Sequence, residues 1–441
     1  METIIMVGQL LLGLSILVGV HEWGHLIAAK TFGMRVEKFY IGFPPKVIGR
    51  TWGGTEYCIG AIPLGGFVKI SGMIDESLDT KTLSEEPEEW EFRAKPAWQR
   101  LIVMLGGIIV NVILGIIVFV AITFINGEEY LPKEALNKYG IVAEELGQEL
   151  GLQTGDKIIN INGEDYKKYG DILGPNVLVG TDVYYTVLRG TETVRVDIPN
   201  DFIEKLSGNK DRSNVMSPRH PFKVGEVDLK EARDAGLMTN DKIIALNGIP
   251  TLYWDEFISV LAPLKDKEFE VRVLRDGSEK TLQMKTSEEG RLGFVIDRSE
   301  FESGFVTNDL SFGKSISIGT GRAFNTVYLN VKGIGKMFSG DVSPTKSLSG
   351  PIRIATMFGT EWDWMRFWTL VGLLSMVLAF MNLLPIPALD GGHVVFLSWE
   401  IITGRKPGEK FLENSQKVGM VILLALMAFV IFNDVFQLAF G

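Results

Sequence analysis

The chain has 441 residues, 46% of them hydrophobic, and a mean hydropathy of +0.18 although 22% are charged. Charge and apolar runs are therefore segregated, the composition of a membrane protein with aqueous parts. A net charge of −10 without any basic block excludes nucleic acid as a partner, and Cys58, the only cysteine, excludes an intrachain disulfide and a thiolate metal site.

The first predicted element is the apolar run Ile4–Ala29, long enough to cross a bilayer, for which about 20 residues suffice. It has no basic stretch before it and no small-residue cleavage site, so it reads as a span rather than a cleavable signal peptide. Within it lies His21-Glu22-Trp23-Gly24-His25. On a helix, positions i and i+4 share a face, so both imidazoles can point at one metal ion while Glu22 addresses a bound water. Ionisable groups in a membrane helix are costly and read as functional. His21 and His25 are thus expected as zinc ligands and Glu22 as the catalytic base.

Residues 35–72 are too polar and glycine-rich for another span. They contain short β-like pieces: Val36–Phe43, Glu56–Ile59 and Gly65-Gly66-Phe67-Val68-Lys69-Ile70. An exposed strand edge there could pair with an extended peptide, making Gly65, Gly66 and Phe67 candidate substrate contacts; the alternative is a β-element that only buttresses the first span. Asp75–Glu91 is acidic and reads as a solvated loop. The second span, Leu101–Ile125, is uncharged and holds one amide, Asn111, placed for an interhelical hydrogen bond or a substrate contact.

Gly151-Leu-Gln-Thr-Gly-Asp-Lys-Ile-Ile-Asn-Ile-Asn-Gly163 recurs as Gly236-Leu-Met-Thr-Asn-Asp-Lys-Ile-Ile-Ala-Leu-Asn-Gly248, which predicts two copies of one module. Asn162-Gly163 and Asn247-Gly248 are hairpin-turn signals. Further on, Phe324, Val327, Tyr328, Val331, Ile334 and Phe338 follow helical spacing with Lys332 and Lys336 interleaved. This predicts an amphipathic helix at the outer membrane–water interface, or one whose apolar face is buried against the repeat.

The third span is predicted over Phe367–Leu389 and the fourth over Val418–Phe440, interrupted by Asn433-Asp434. Lys30, Arg35 and Lys38 follow the first span, Arg93, Lys95 and Arg100 precede the second, and Arg405, Lys406 and Lys410 separate the last two. The bias of Lys and Arg toward the cytoplasm places both loops inside, and both termini and the long segment 126–365 outside. The ends of spans one and three then share a side. There the third span carries Asn382-Leu-Leu-Pro385-Ile-Pro387-Ala-Leu389-Asp390-Gly391-Gly392-His393. A zinc hydrolase commonly uses three protein ligands, and Asp390 is the natural third. Pro385 and Pro387 predict an unwound segment presenting it, tolerable at membrane depth where it lines a polar cavity. His393 is the alternative ligand, or it caps the turn or faces the cytoplasm.

HExxH in the first span, NxxPxPxLDGG in the third and the repeat between them together resemble the site-2 protease family, and within it the bacterial regulator of sigma E protease branch. The resemblance extends over essentially the whole chain, including Gly107-Ile-Ile-Val-Asn111 and Leu348-Ser-Gly-Pro351. It implies a polytopic α-helical membrane protein with four transmembrane helices, a membrane-associated β-hairpin, and two extracytoplasmic PDZ domains (α+β, partly open β-barrels). The implied layout is the first span over 1–34, the β-element and loop over 35–98, and the second span over 99–126. PDZ domains follow over 127–218 and 219–302, then an interfacial helix and linker over 303–365, and the last two spans over 366–441. Zinc would be bound by His21, His25 and Asp390, with Glu22 as base and with Asn111, Asn382, Pro385, Pro387, Gly65, Gly66 and Phe67 near the substrate. The implied substrate is a single-span membrane protein at the bacterial inner membrane, such as a pre-trimmed anti-sigma factor or a remnant signal peptide. The PDZ pair either binds a peptide or partner or filters substrates by size. The alternative function is a catalytically inactive PDZ scaffold or regulator in the membrane.

The orientation is directly testable. A cysteine introduced near residue 80 should resist membrane-impermeant thiol reagents in intact cells while one near residue 210 reacts; the reverse pattern would overturn the placement.

Overall fold

The computed structural model describes residues 2–73, 87–208, 215–228, 230–264, 267–286, 293–343, 345 and 350–440. The acidic loop Asp75–Glu91 falls largely outside them, as do Leu348 and Ser349. The chain forms two compact units, one of residues 1–127 with 310–441 and one of 128–309.

The first unit begins with helix α1 (Glu2–Thr31), an antiparallel pair β1 (Val36–Trp52) and β2 (Thr55–Ile70), and helix α2 (Ala97–Asn126). It resumes with α3 (Phe312–Ser339), α4 (Pro351–Phe358), α5 (Trp364–Leu383), α6 (Asp390–Thr403) and α7 (Glu409–Phe440). Among the described residues, Thr3–Thr31, Ala97–Asn126, Trp364–Leu383 and Lys410–Phe436 are long and apolar enough to cross a membrane. The 20 residues of α5 rise about 30 Å, the thickness of a hydrocarbon core. Its start is fixed by Asp363, whose carboxylate accepts from the backbone N–H of Met365 and Arg366 at 2.9 and 3.1 Å. Its end comes earlier than the apolar run suggests. Pro385 disfavours helical geometry at Leu384 and supplies no N–H, so 384–389 leave the helix. Asp390 does not hang on that unwound stretch; it opens α6.

Lipid tails are as apolar as leucine, so spans associate through close packing rather than through burial from water. Small residues supply that closeness here. A Cβ on Gly106 of α2 would lie 2.6 Å from the Gly24 carbonyl oxygen of α1, and one on Gly24 would run into the Gly106 carbonyl. On the same α2, Gly319 of α3 packs against the backbone of Val120, and Ser375 of α5 donates to the Asn111 carbonyl at 2.8 Å. Helix α3 therefore buries Ser315, Gly319 and Ala323, a stripe of small residues at four-residue spacing. The large apolar face predicted from Phe324, Tyr328, Val331 and Phe338 stays exposed, because only the small stripe allows α3 to approach α2.

The β1–β2 pair is more elaborate than three short pieces. Phe39 is paired both with Val68 and with Tyr57, and Tyr40 both with Phe67 and with Cys58. The first half of β1 thus lies between the two halves of β2, and residues 46–52 and 66–70 form the two edges. Val47, Ile48 and Trp52 on one edge are exposed apolar side chains, the composition of a surface that meets lipid.

The second unit contains two hydrophobic cores. One gathers Leu136, Ile141, Ile158, Ile172, Tyr185 and Phe202; the other gathers Phe222, Val224, Leu246, Phe257, Phe269 and Val273. Both halves repeat the same local geometry. Asp156 accepts from Arg189 and from the Gln153 N–H, while Arg189 also reaches the Gly151 carbonyl; Asp241, Arg275, Met238 and Gly236 make the same contacts. Asn162 and Asn247 both adopt positive φ in their Asn-Gly turns. The short sheets do not close into a barrel among the described residues. Strand Val306–Asn308 returns to pair with Glu128–Tyr130, so the two chain ends of this unit lie side by side.

Asn433-Asp434, which interrupts the fourth apolar run, has a structural use. The Asp434 carboxylate accepts from the backbone N–H groups of Gly350, Ile352 and Arg353 at 2.9, 3.0 and 3.1 Å, capping α4 from α7. Asp434→Ala leaves these donors unmet and should lower stability by about 2 kcal/mol. The thermal midpoint of the detergent-solubilised protein should fall, with Asp434→Asn falling less because one acceptor remains.

Candidate metal centre

His21 and His25 share one face of α1, and the first residue of α6 meets them there. The His21 Nε2 lies 3.1 Å from Asp390 Oδ2, the His25 Nε2 lies 3.4 Å from the same oxygen, and the two Nε2 atoms are 3.2 Å apart. Ligands at about 2.0–2.1 Å from a tetrahedral zinc ion stand about 3.3–3.4 Å from one another. The triangle of donors is therefore the face of such a tetrahedron. Asp390 Oδ2 is also buried without a hydrogen-bond donor, and all three residues are the nitrogen- and oxygen-bearing types that zinc takes. The residues present fit the ion.

The outer nitrogens are held by α2. His25 Nδ1 lies 2.8 Å from the Val103 carbonyl oxygen and His21 Nδ1 lies 3.1 Å from the Asn111 side-chain amide. Between these two partners sits Gly107, where a Cβ would come within 2.5 Å of both imidazole rings. Val103, Gly107 and Asn111 are spaced by four, one face of α2 backing the histidine face of α1.

Glu22 is half-buried beside the pair. Strand β2 passes it closely: a Cβ on Gly66 would lie 2.6 Å from Val18 and 3.3 Å from the Glu22 Cγ, and the Val68 backbone lies beside the Glu22 carboxyl group. Phe67, between them, stacks on Tyr40 with ring centres 4.8 Å apart. Gly65, also on β2, abuts the Phe43 ring of β1. Asn382, in the last turn of α5, brings its Nδ2 to 3.3 Å from His21 Nε2. Asn111 is fully buried and bonds between helices, with its side chain toward His21 of α1 and its main-chain carbonyl toward Ser375 of α5.

Pro385 and Pro387 shape the 384–389 turn, and the Pro387 carbonyl abuts Gly419 of α7. His393 turns away as well. Its Nε2 lies 2.8 Å from the Gln416 side chain of α7, so it neither caps the turn nor joins the ligands. Sequence reasoning did not assign roles to Gly24, Gly106, Val103 or Gln416. The glycines carried a signal, since small residues mark close helix crossings in membranes. A backbone carbonyl such as that of Val103 carries none.

An apolar groove of about 530 Å³ runs between α1 and the sheet, lined by Ser15, Ile16, Gly19, Val20, Ile41, Ile59, Gly60 and Pro63. Val20 in its wall is the residue before His21.

A family model described as peptidase family M50 matches residues 9–426. A Pasteurella multocida protein bearing a zinc metalloprotease name is 30% identical over 96% of the chain and 97% of its own length. A regulator of sigma E protease from Haemophilus influenzae is 29% identical over 98% of both. The regulator of sigma-E protease RseP of Escherichia coli is 27% identical over 96% of the chain and 97% of its length.

His21→Ala, His25→Ala and Asp390→Ala should each lower bound zinc, measured by elemental analysis of the purified protein. Glu22→Gln should keep its zinc and lose about 10²–10⁴-fold in cleavage rate, because the glutamate acts as a base and not as a ligand.

Proposed function

The chain belongs to peptidase family M50 and is a zinc metalloendopeptidase of the membrane, and from that footing we propose that it cuts single-span membrane proteins at the bacterial inner membrane. The observation that supports this reading most is the meeting of His21, His25 and Asp390 on helices of the membrane-spanning unit, with a strand edge passing the same point. Zinc, when bound, supplies a Lewis acid that polarises a carbonyl and lowers the pKa of water towards about 7.

The chain's own residues do the rest. Glu22 takes the proton of the attacking water and delivers it to the leaving amine, so the carboxyl group ends each turnover ionised. Asn382, its Nδ2 beside the donor triangle, donates to the substrate carbonyl as negative charge develops there. Residues 66–68 of β2 receive an unwound stretch of substrate by strand addition, which exposes amides that a helix would shield by its own hydrogen bonds. The apolar groove beside Val20 takes side chains of that stretch. Relatives named as regulators of sigma E protease favour a pre-trimmed anti-sigma factor as substrate, with remnant signal peptides as a second class.

Residues 128–309 are tandem PDZ domains on the outer side. In the chain they follow the end of α2 and precede the start of α3, and they restrict entry of substrates with large folded outer parts. Their repeated Asp–Arg and Asn-Gly geometry supports one module in two copies.

The filter is tested with matched long and short single-span substrates. Replacing residues 128–309 by a Gly/Ser bridge should leave the zinc site intact and equalise the two cleavage rates. An unchanged preference for the short substrate would place selection in the membrane unit.

A further inference from the structure

We propose that Asn111 is a positioning residue that fixes the His21 tautomer, presenting its amide oxygen to the Nδ1–H of His21 in the zinc-loaded enzyme. The inference rests on the ligand set above and extends it to the shell behind it.

The argument starts from the direction of the ring. His21 turns Nε2 toward Asp390 and His25 and turns Nδ1 toward Asn111 at 3.1 Å. A neutral imidazole has one donor nitrogen and one acceptor nitrogen. If Nε2 gives its lone pair to a metal, Nδ1 carries the proton and needs an acceptor. Asn111 offers two groups of equal size, an accepting oxygen and a donating NH₂, which exchange by rotation about one bond. With NH₂ toward the ring, His21 must hold its proton on Nε2, where a metal ligand cannot have one. In that orientation Asn111 Oδ1 is also buried without any donor. Turning the amide over gives this oxygen the Nδ1–H and frees Nε2.

The His25 partner shows the same requirement met without ambiguity. Its Nδ1 faces the Val103 carbonyl at 2.8 Å, and a carbonyl oxygen can only accept. Nδ1–H of His25 is therefore the donor, and Nε2 is free. Helix α2 thus supplies two acceptors eight residues apart, one main-chain and one side-chain, for two histidines four residues apart. The backbone that carries Asn111 is itself held, since Ser375 Oγ of α5 donates to the main-chain carbonyl of the same residue at 2.8 Å. Outer partners of metal-bound histidines commonly set ring orientation, and losing one typically costs 10–100-fold in metal affinity.

The test compares wild type, Asn111→Asp, Asn111→Leu and His21→Ala in the full-length, detergent-solubilised protein. Zinc affinity is measured by competition with a chromogenic chelator. Asn111→Leu removes every hydrogen-bonding group and should weaken zinc by about 10–100-fold. Asn111→Asp keeps only acceptors and should bind zinc as well as wild type or better. Equal affinity in all three Asn111 proteins would overturn the proposal, as would an Asn111→Asp protein that is as weak as Asn111→Leu. If Asn111→Leu fails to fold, the tautomer decides. With four histidines in the chain, ¹⁵N-histidine spectra of the zinc-loaded protein should show His21, identified by its loss in His21→Ala, protonated at Nδ1 in wild type and Asn111→Asp. A deprotonated Nδ1 would contradict the role. His21→Ala separates the two layers of the reading: if it retains zinc, the ligand assignment fails, whereas normal zinc loss there with unaffected Asn111 variants defeats only the positioning role.

Discussion

Helices α1 and α2 touch backbone to backbone, and the candidate metal centre depends on that contact. At Gly24 and Gly106 no side chain separates the two chains, and at Gly107 none separates α2 from the imidazoles. Any larger residue would push α2 outward and carry Val103 and Asn111 away from the rings they hold. In lipid this closeness cannot be driven by burial from water, so it depends on small residues that let main chains approach. The Gly24 that makes it possible lies inside the same five residues that carry His21, Glu22 and His25.

The third member of the donor triangle arrives by a different device. Two prolines stop α5, six residues turn, and Asp390 starts α6 with its carboxylate aimed at the histidines. Such a turn inside a membrane unit needs its surroundings fixed. Arg100 near the start of α2 is buried and pairs with Glu400 toward the end of α6, while Arg100 also donates to the Lys95 carbonyl at 2.9 Å. His393 and Gln416 tie the other face of α6 to α7. A buried ion pair adds little net stability, but removing one partner strands a charge, so the pair specifies one arrangement of α6 on α2. Charge in this unit is spent on holding helices at a set depth as well as on chemistry.

Much of this was legible in the sequence, and for identifiable reasons. Histidines four apart and a glutamate in an apolar run have few readings, and prolines before an aspartate and two glycines announce a broken helix. The four spans were visible because apolar runs of bilayer length are rare otherwise. What stayed hidden depends on pairing between distant residues. Phe39 and Tyr40 serve two strands at once, which no local pattern encodes. The stripe Ser315, Gly319 and Ala323 was masked by the larger residues beside it, so the close approach of α3 to α2 could not be read from the pattern. Asp434 looked like a blemish in a span until its partners, more than 80 residues away in sequence, came into view. His393 was left open because its partner, Gln416, lies on the next helix.

The central claim is that two imidazoles and one carboxylate, brought together by the α1–α2 contact and the broken α5–α6 connection, hold the zinc. X-ray absorption spectroscopy at the zinc edge of the purified enzyme tests this most directly. The account predicts a first shell of nitrogen and oxygen only, at about 2.0–2.1 Å, with the outer-shell scattering of two imidazoles. A sulfur shell at about 2.3 Å, or scattering from a third imidazole, would bring Cys58 or His393 into the site and contradict it.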